Sequence, residues 1–362
     1  MFGIILLSTI TAMQVYVFWR MVSVPFLKRS LSQKAIIGSG IVFWAVFAFG
    51  RMYGSDAPAV ELFGMNWMGT VFILFIPFFT LDLVTGFGFL LPRLALILRS
   101  FAFCAGALLA TIALVQGVRP PVVVQYEVRT PGLPEELDGT VIVALSDMHV
   151  GSLLGQRWLE GRVAQVQAQQ PDLIVLLGDI VEGGKEYHKE LLPIFSRLSA
   201  PMGVWAVLGN HESHQRHYSK VNLMEEAGFH LLRNRWAEVK PGLVVAGVDD
   251  LTYSSRSAGG VDLIGQALTG KPVGTTILLS HTPWQAERAA AAGVALMLSG
   301  HTHAGQIWPF GYLVKRIYPL FEGVYEVGDM TAIVSRGTGT WGPRMRLWRP
   351  GEILRIVLRK SS

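Results

Sequence analysis

Two aspartates, one asparagine and five histidines lie in five short clusters between residues 147 and 303. The clusters are Asp147-Met148-His149, Gly178-Asp179, Gly209-Asn210-His211-Glu212, His281, and Gly300-His301-Thr302-His303. Carboxylate, amide and imidazole side chains are the usual ligands of divalent metal ions. Seven such groups around one point, with one histidine to spare, are too many for a single tetrahedral ion. They suit two ions that share a carboxylate, the arrangement used to activate water and neutralise a phosphoryl group.

Something must bring these clusters together, and the residues before them say what. Each cluster follows a mostly apolar run: Val141–Leu145, Leu173–Leu177, Val204–Leu208, Thr276–Ser280 and Val294–Ser299. Short apolar runs of this kind read as buried strands, and a strand end is a rigid place to mount a ligand. Asp147 and Asp179 are 32 residues apart, and Asp179 and Asn210 are 31 apart. One strand, one helix and a return strand take roughly 30 residues. The first three clusters are therefore expected at equivalent ends of neighbouring parallel strands, where open α/β sheets keep their sites. Between the first two, Trp158, Val163 and Val166 have near-helical spacing over Gln156–Gln170. His281 and His301 come from two further strands.

The order D-x-H, G-D, G-N-H-E, H, G-H-x-H resembles the calcineurin-like metallophosphoesterase superfamily over about residues 140–358, with every ligand position filled. The chain is most similar to its bacterial membrane-associated branch. Gly305-Gln306-Ile307, Gly337–Gly339, Pro343-Arg344 and Pro350-Gly351-Glu352 carry that part of the resemblance, although Gly351 stands where a second proline is usual. The resemblance implies a sandwich of two mixed β-sheets flanked by helices. It also implies that Asp147, His149 and His303 hold one ion, that Asn210, His281 and His301 hold the other, and that Asp179 bridges them. By the same resemblance His211 stabilises the transition state or protonates the leaving oxygen. Glu182, three residues after Asp179, is at the offset where related phosphatases carry a carboxylate that orients this histidine. Asn, Asp and His ligands fit Mn, Fe or Zn.

Several features lie outside these motifs. His188, His214, His217 and His230 belong to none; His214 and His217 either line the pocket or sit in a solvated loop. Asp249-Asp250 follows the apolar run Leu243–Val248 and reads as a turn or as another strand end near the site. Ile307–Tyr325 is rich in aromatic and aliphatic residues around Lys315-Arg316. It is either a loop packed on the core or a surface for acyl chains and an anionic head group. Arg344, Arg346 and Arg349 read as a phosphate- or membrane-binding group or as a solvated face.

The first 118 residues are a different material. They hold 7 Lys and Arg and 3 Asp and Glu, which leaves 24 and 23 for the remaining 244 residues. The net charge of +5 is thus +4 from the first part and +1 from the second. A near-neutral second part argues against nucleic acid as a partner. Apolar stretches at about 2–19, 35–50, 66–91 and 101–117 read as membrane spans. The second has only sixteen residues between Lys34 and Arg51, short of the roughly 17–25 that a span needs. The first lacks a basic start and a cleavage site, so it does not read as a signal peptide. Asp82 is costly in lipid and reads as either a packing contact or a functional polar group. Loop one carries Arg20, Lys28, Arg29 and Lys34, loop three carries Arg93 and Arg99, and loop two sets Arg51 against Asp56 and Glu61. Positive loops stay in the cytoplasm, so four spans place both chain ends outside it. Cys104, the only cysteine, lies in the fourth stretch and admits no disulfide within the chain.

The expected protein is therefore an all-α transmembrane region over 1–118 followed by an α/β metallophosphoesterase sandwich over 119–362. It is expected in the plasma or inner membrane as a multi-pass dimetal enzyme with an extracytoplasmic catalytic domain, hydrolysing phosphodiester, phosphomonoester or pyrophosphate bonds of an envelope or lipid-linked substrate. Its partners would be the lipid bilayer and a phosphate-ester substrate, lipid-linked or free, with no nucleic acid; the oligomeric state is left open. The sequence leaves two alternatives. One is a cytoplasm-facing pyrophosphatase of the UDP-2,3-diacylglucosamine type; the other is a membrane scaffold that keeps the fold only for binding.

Overall fold

A computed structural model describes residues 2–53, 57–183, 188–213, 218–254 and 261–361. The chain divides into two compact units: Met1–Arg119 with Gly342–Trp348, and Pro120–Trp341 with Arg349–Ser362.

The first unit contains helices α1 (Phe2–Met21), α2 (Pro25–Ser30), α3 (Gln33–Tyr53), α4 (Pro58–Thr85) and α5 (Pro92–Val118). All but α2 are long and apolar enough to cross a membrane. The second of these exceeds its apolar stretch. It takes in Lys34 at one end and Arg51 at the other and reaches 21 residues, because long basic side chains can extend from a helix end to a polar layer. Proline begins both α4 and α5, where a missing N–H costs nothing. These starts, at 58 and 92, precede the expected 66 and 101. The helix ends at Thr85, short of residue 91, because Gly86 adopts φ 55° and its N–H caps the carbonyls of Asp82 and Leu83.

Small residues let the helices approach. A Cβ on Gly64 would come within 2.9 Å of the Phe47 backbone, and one on Gly106 within 2.9 Å of Leu74. Asp82 of α4 is buried and accepts hydrogen bonds from Arg20 Nε of α1, at 2.5 Å, and from the Tyr16 hydroxyl. Arg20 is thus a neutralised interhelical contact instead of a free loop charge. The late segment Gly342–Trp348 packs within this same unit. Its Arg344 N–H donates to Asn66 Oδ1 of α4 at 2.8 Å, Arg346 N–H donates to the Ala113 carbonyl of α5 at 2.9 Å, and Trp348 N–H donates to Gln116 Oε1 at 2.8 Å. Met345, Arg346 and Leu347 are buried, so Arg346 belongs to no solvated face.

The second unit is a sandwich of two six-stranded mixed sheets. The strands are β1 (Val122–Thr130), β2 (Val141–Leu145), β3 (Leu173–Leu176), β4 (Val204–Ala206), β5 (His230–Leu231), β6 (Arg235–Lys240), β7 (Leu243–Gly247), β8 (Thr275–Leu279), β9 (Leu296–Ser299), β10 (Gly323–Val327), β11 (Met330–Val334) and β12 (Glu352–Lys360). One sheet has the order β1-β12-β2-β3-β4-β5 and the other β10-β11-β9-β8-β7-β6. β2, β3 and β4 are parallel neighbours, as are β7, β8 and β9. These central strands are buried on both faces, which is why they read as continuous apolar runs. Alternate side chains serve different layers. Ile142, Ala144, Leu173 and Val175 meet Leu243, Val245, Ile277 and Leu296 between the sheets. Val143, Leu145, Ile174 and Leu176 face the helices Gln156–Gln167, His188–Phe195 and Tyr218–Glu226 on one outer side. Ala246, Leu278 and Met297 face the helices Leu263–Leu268 and Ala286–Ala291 on the other.

Candidate metal centre

The five clusters leave the same end of the sandwich: three from β2, β3 and β4 of one sheet, and two from β8 and β9 of the other. Beyond each strand the chain must turn sharply to aim its ligand inward. Asp147, His149, Asp179, His301 and His303 all have positive φ, between 48° and 70°. Side chains other than glycine avoid this left-handed region, and residues held there against its cost gather at functional sites. Backbone bonds across the strand ends hold them: Asp147 N–H to the Gly178 carbonyl and His149 N–H to the Asp179 carbonyl, each at 3.0 Å. Glycine is needed where these turns touch. A Cβ on Gly209 would lie 2.5 Å from the Asp179 nitrogen, and one on Gly300 would collide with Ser146 Oγ and Asp147 Oδ2.

The side chains then form two groups about Asp179. Asp147, His149 and His303 bring one ligand atom each within 4.8 Å of one another, and so do Asp179, His281 and His301. A third such group of His149, Asp179 and His211 links them. Asn210 Oδ1 lies 3.1 Å from His281 Nε2. All seven expected ligands therefore converge.

The hydrogen bonds on the far sides of the rings decide what the near sides offer. His281 Nδ1 donates to the Leu177 carbonyl at 2.8 Å, and His149 Nδ1 donates to Glu182 Oε1 at 2.6 Å. When these rings are neutral, their Nε2 atoms therefore carry the lone pairs. They face other acceptors: His149 Nε2 stands 3.1 Å from His303 Nε2, and His281 Nε2 stands 3.3 Å from Asp179 Oδ2. Asp147 Oδ1, fully buried and without a hydrogen bond among the described residues, lies 3.3 Å from His303 Nε2. Lone pairs that converge with few protons to share form a cation site, and this donor set fits two divalent ions. Burial and the neighbouring His281 press the His301 pKa down to about 3, which keeps it neutral. At His281 burial opposes a charge but Asp179 outweighs it and holds the pKa well up, so proton and cation compete for one lone pair.

Glu182 sits between two rings. The same Oε1 is 2.6 Å from His149 Nδ1 and 2.6 Å from His211 Nδ1. Burial favours the neutral acid, but these two partners hold the carboxyl well below its usual range. Burial also opposes a charge on His211, yet Glu182 and Asp179 prevail and raise its pKa to about 9. His211 Nε2 points back toward the centre, 3.9 Å from Asp179 Oδ2. It is partly exposed, whereas His281 is fully buried.

Other residues support the site in roles that the sequence did not assign to them. Glu212 is buried, and its carboxylate accepts from four backbone N–H groups: Asp179 and Ile180 at 2.8 Å, Gly209 at 2.9 Å and Val181 at 3.2 Å. It ties the β3 end to the β4 end. Tyr318 OH is 2.7 Å from His301 Nε2 and stacks on Trp284. Gln306, of the Gly-Gln-Ile sequence, exchanges two hydrogen bonds with the Trp341 backbone, and the Trp341 ring meets His211 edge-on. The signal for Glu212 was its fixed place after His211; Tyr318 had none beyond its position in an aromatic segment. Asp249 pairs with Arg233, while Asp250 is buried and accepts from Thr252. Arg349 pairs with Glu322. His230 packs at a tilt against the Trp205 ring. His214 and His217 lie outside the described residues, as does the side chain of His188 and loop-two Asp56.

Residues 140–305 match the calcineurin-like phosphoesterase family. An uncharacterised metallophosphoesterase of Aquifex aeolicus is 34% identical over 240 residues, covering 65% of this chain and 90% of that protein. The chain belongs to the calcineurin-like metallophosphoesterase family. Proteins named "Transmembrane protein with metallophosphoesterase domain" are also similar to it. The one from Danio rerio is 34% identical over 70% of this chain and 61% of its own length, and the one from Bos taurus is 32% identical over 72% and 62%. This metallophosphoesterase thus spans about three fifths of the length of those relatives.

Proposed function

We propose that the protein is a membrane-anchored dimetal phosphoesterase. The carrying observation is the convergence of histidine lone pairs and carboxylates into two groups about Asp179. In this reading Asp147, His149 and His303 would hold one divalent ion, Asn210, His281 and His301 the other, and Asp179 both. When bound, the ions supply Lewis-acid charge and an activated water for phosphoryl transfer. His211 stands beside this centre without being needed as a ligand. Its Nδ1 is fixed by Glu182, so its Nε2–H is aimed at the space where a phosphoryl oxygen would lie, to stabilise charge or protonate the leaving group. Glu182 is a positioning residue for both His211 and His149.

The helices α1, α3, α4 and α5 support a multi-pass membrane location. Arg20 is spent on Asp82, but Lys28, Arg29 and Lys34 remain exposed between α1 and the first turn of α3, which favours a catalytic domain outside the cytoplasm. With that placement the proposed substrate is a phosphodiester, phosphomonoester or pyrophosphate of an envelope or lipid-linked molecule. The test is hydrolysis of bis(p-nitrophenyl) phosphate by the purified full chain with Mn, Fe or Zn, followed by a screen of lipid phosphates, nucleotide-lipids and cyclic nucleotides. Asp179→Asn should abolish the rate and lower bound metal, because it weakens both sites together. Full activity with two ions bound in that variant sinks the ligand assignment. Absence of any metal-dependent rate in the native chain favours the scaffold alternative.

A further inference from the structure

The segment that follows the last ligand cluster forms a short helix, Gly311–Ile317, whose residues divide by face. Val314 and Tyr318 are one turn apart, half-buried, and face the protein, where Tyr318 holds His301. Leu313 and Ile317, also one turn apart, are 63% and 62% exposed. Tyr312 is 69% exposed, Trp308 precedes the helix with 41% exposed, and Lys315 and Arg316 are exposed as well. A solvated helix does not ordinarily present aliphatic and aromatic side chains at this exposure beside two adjacent cations. Apolar and Trp/Tyr side chains with interleaved basic ones are the composition of a helix that lies in a bilayer interface.

We infer that this face is a docking surface for the headgroup layer of an anionic bilayer. The occupant follows from two facts. Lys315 and Arg316 complement an anionic surface. Only Arg119–Pro121 separate α5 from β1, so a domain tethered this closely meets the bilayer at high effective concentration. The inference rests on the reading that α1, α3, α4 and α5 span the membrane. Its consequence is that docking would bring the His301 side of the metal centre to the level of lipid phosphates, since Tyr318 directly continues the docking helix.

The test uses the full chain in nanodiscs that contain a nitroxide-labelled lipid. Cys104, the only cysteine, is replaced by serine, and a fluorophore is placed at Leu313→Cys or at Val273→Cys. Val273 is 96% exposed and lies before β8, at the opposite end of that strand from His281. In phosphatidylglycerol-rich discs the label at 313 should be quenched several-fold more than the label at 273. Lys315→Gln and Arg316→Gln should each lower the docked-to-undocked ratio by about fivefold, and high salt should lower it too. Equal quenching at the two positions in well-formed discs overturns the inference and leaves the anchor intact. Failure of the chain to enter nanodiscs overturns the anchor first and the docking with it.

Discussion

At the scale of single residues, the site separates groups that bind from groups that hold. His211 is partly exposed where His281 is buried, and its Nδ1 is held by Glu182. His211→Ala should therefore cut turnover by roughly 10²–10⁴-fold, the usual worth of one acid or base, and leave bound metal nearly unchanged. The loss should be smaller for substrates with a good leaving group. Equal loss across leaving groups would assign His211 to charge stabilisation alone. Glu212 does the opposite job. Leaving one buried N–H without an acceptor costs about 1–3 kcal/mol, and Glu212→Ala strands four of them at two ligand turns. A fall of more than about 5 °C in melting temperature is expected, more than ~1 kcal/mol would give in a domain of this size; an unchanged melt would contradict the bracing role. The ligands were legible in the sequence because each ends an apolar run. The bracing was not, because a carboxylate that binds only backbone leaves no partner residue type to find.

At the scale of elements, strands buried on both faces announced themselves, while the contacts that assemble the helices did not. α3 reads as too short in sequence only when Lys34 and Arg51 are set as its limits, and both lie inside it. The segment Gly342–Trp348 was opaque for a physical reason: Met345 and Leu347 alternate with arginines, and the helices that bury them lie more than 200 residues earlier. Asp82 was visible as an anomaly in an apolar helix, yet Arg20 was counted as a loop charge, since nothing in a sequence pairs a helix end with a residue 62 positions away. This pair makes a measurable prediction. Asp82→Leu strands a buried guanidinium and should lower stability in detergent or lipid by about 3–5 kcal/mol. Adding Arg20→Leu should restore most of that loss, a coupling that a double-mutant cycle reads directly. Additive losses would show that the two side chains act separately.

At the scale of the whole molecule, three exposed positive residues, Lys28, Arg29 and Lys34, lie between α1 and the first turn of α3 once Arg20 is discounted, and Arg93 and Arg99 lie near the start of α5. A reporter that works only outside the cytoplasm should be active when fused after Ser362 and silent in the first loop. The reverse pattern would turn the catalytic domain inward and favour the nucleotide-lipid pyrophosphatase alternative. The packing of Gly342–Trp348 against α4 and α5 also sets an order of events in time. The ribosome completes α5 at Val118 but does not reach Gly342 until 223 further residues have been added. At about 5–20 residues per second that interval is roughly 10–50 s. Throughout it, Asn66, Ala113 and Gln116 wait for backbone partners that have not yet been made. Maturation of the helical unit is thereby made conditional on nearly complete synthesis of the metallophosphoesterase unit, so a chain cut short before Trp348 leaves its helices unfinished as well as its enzyme.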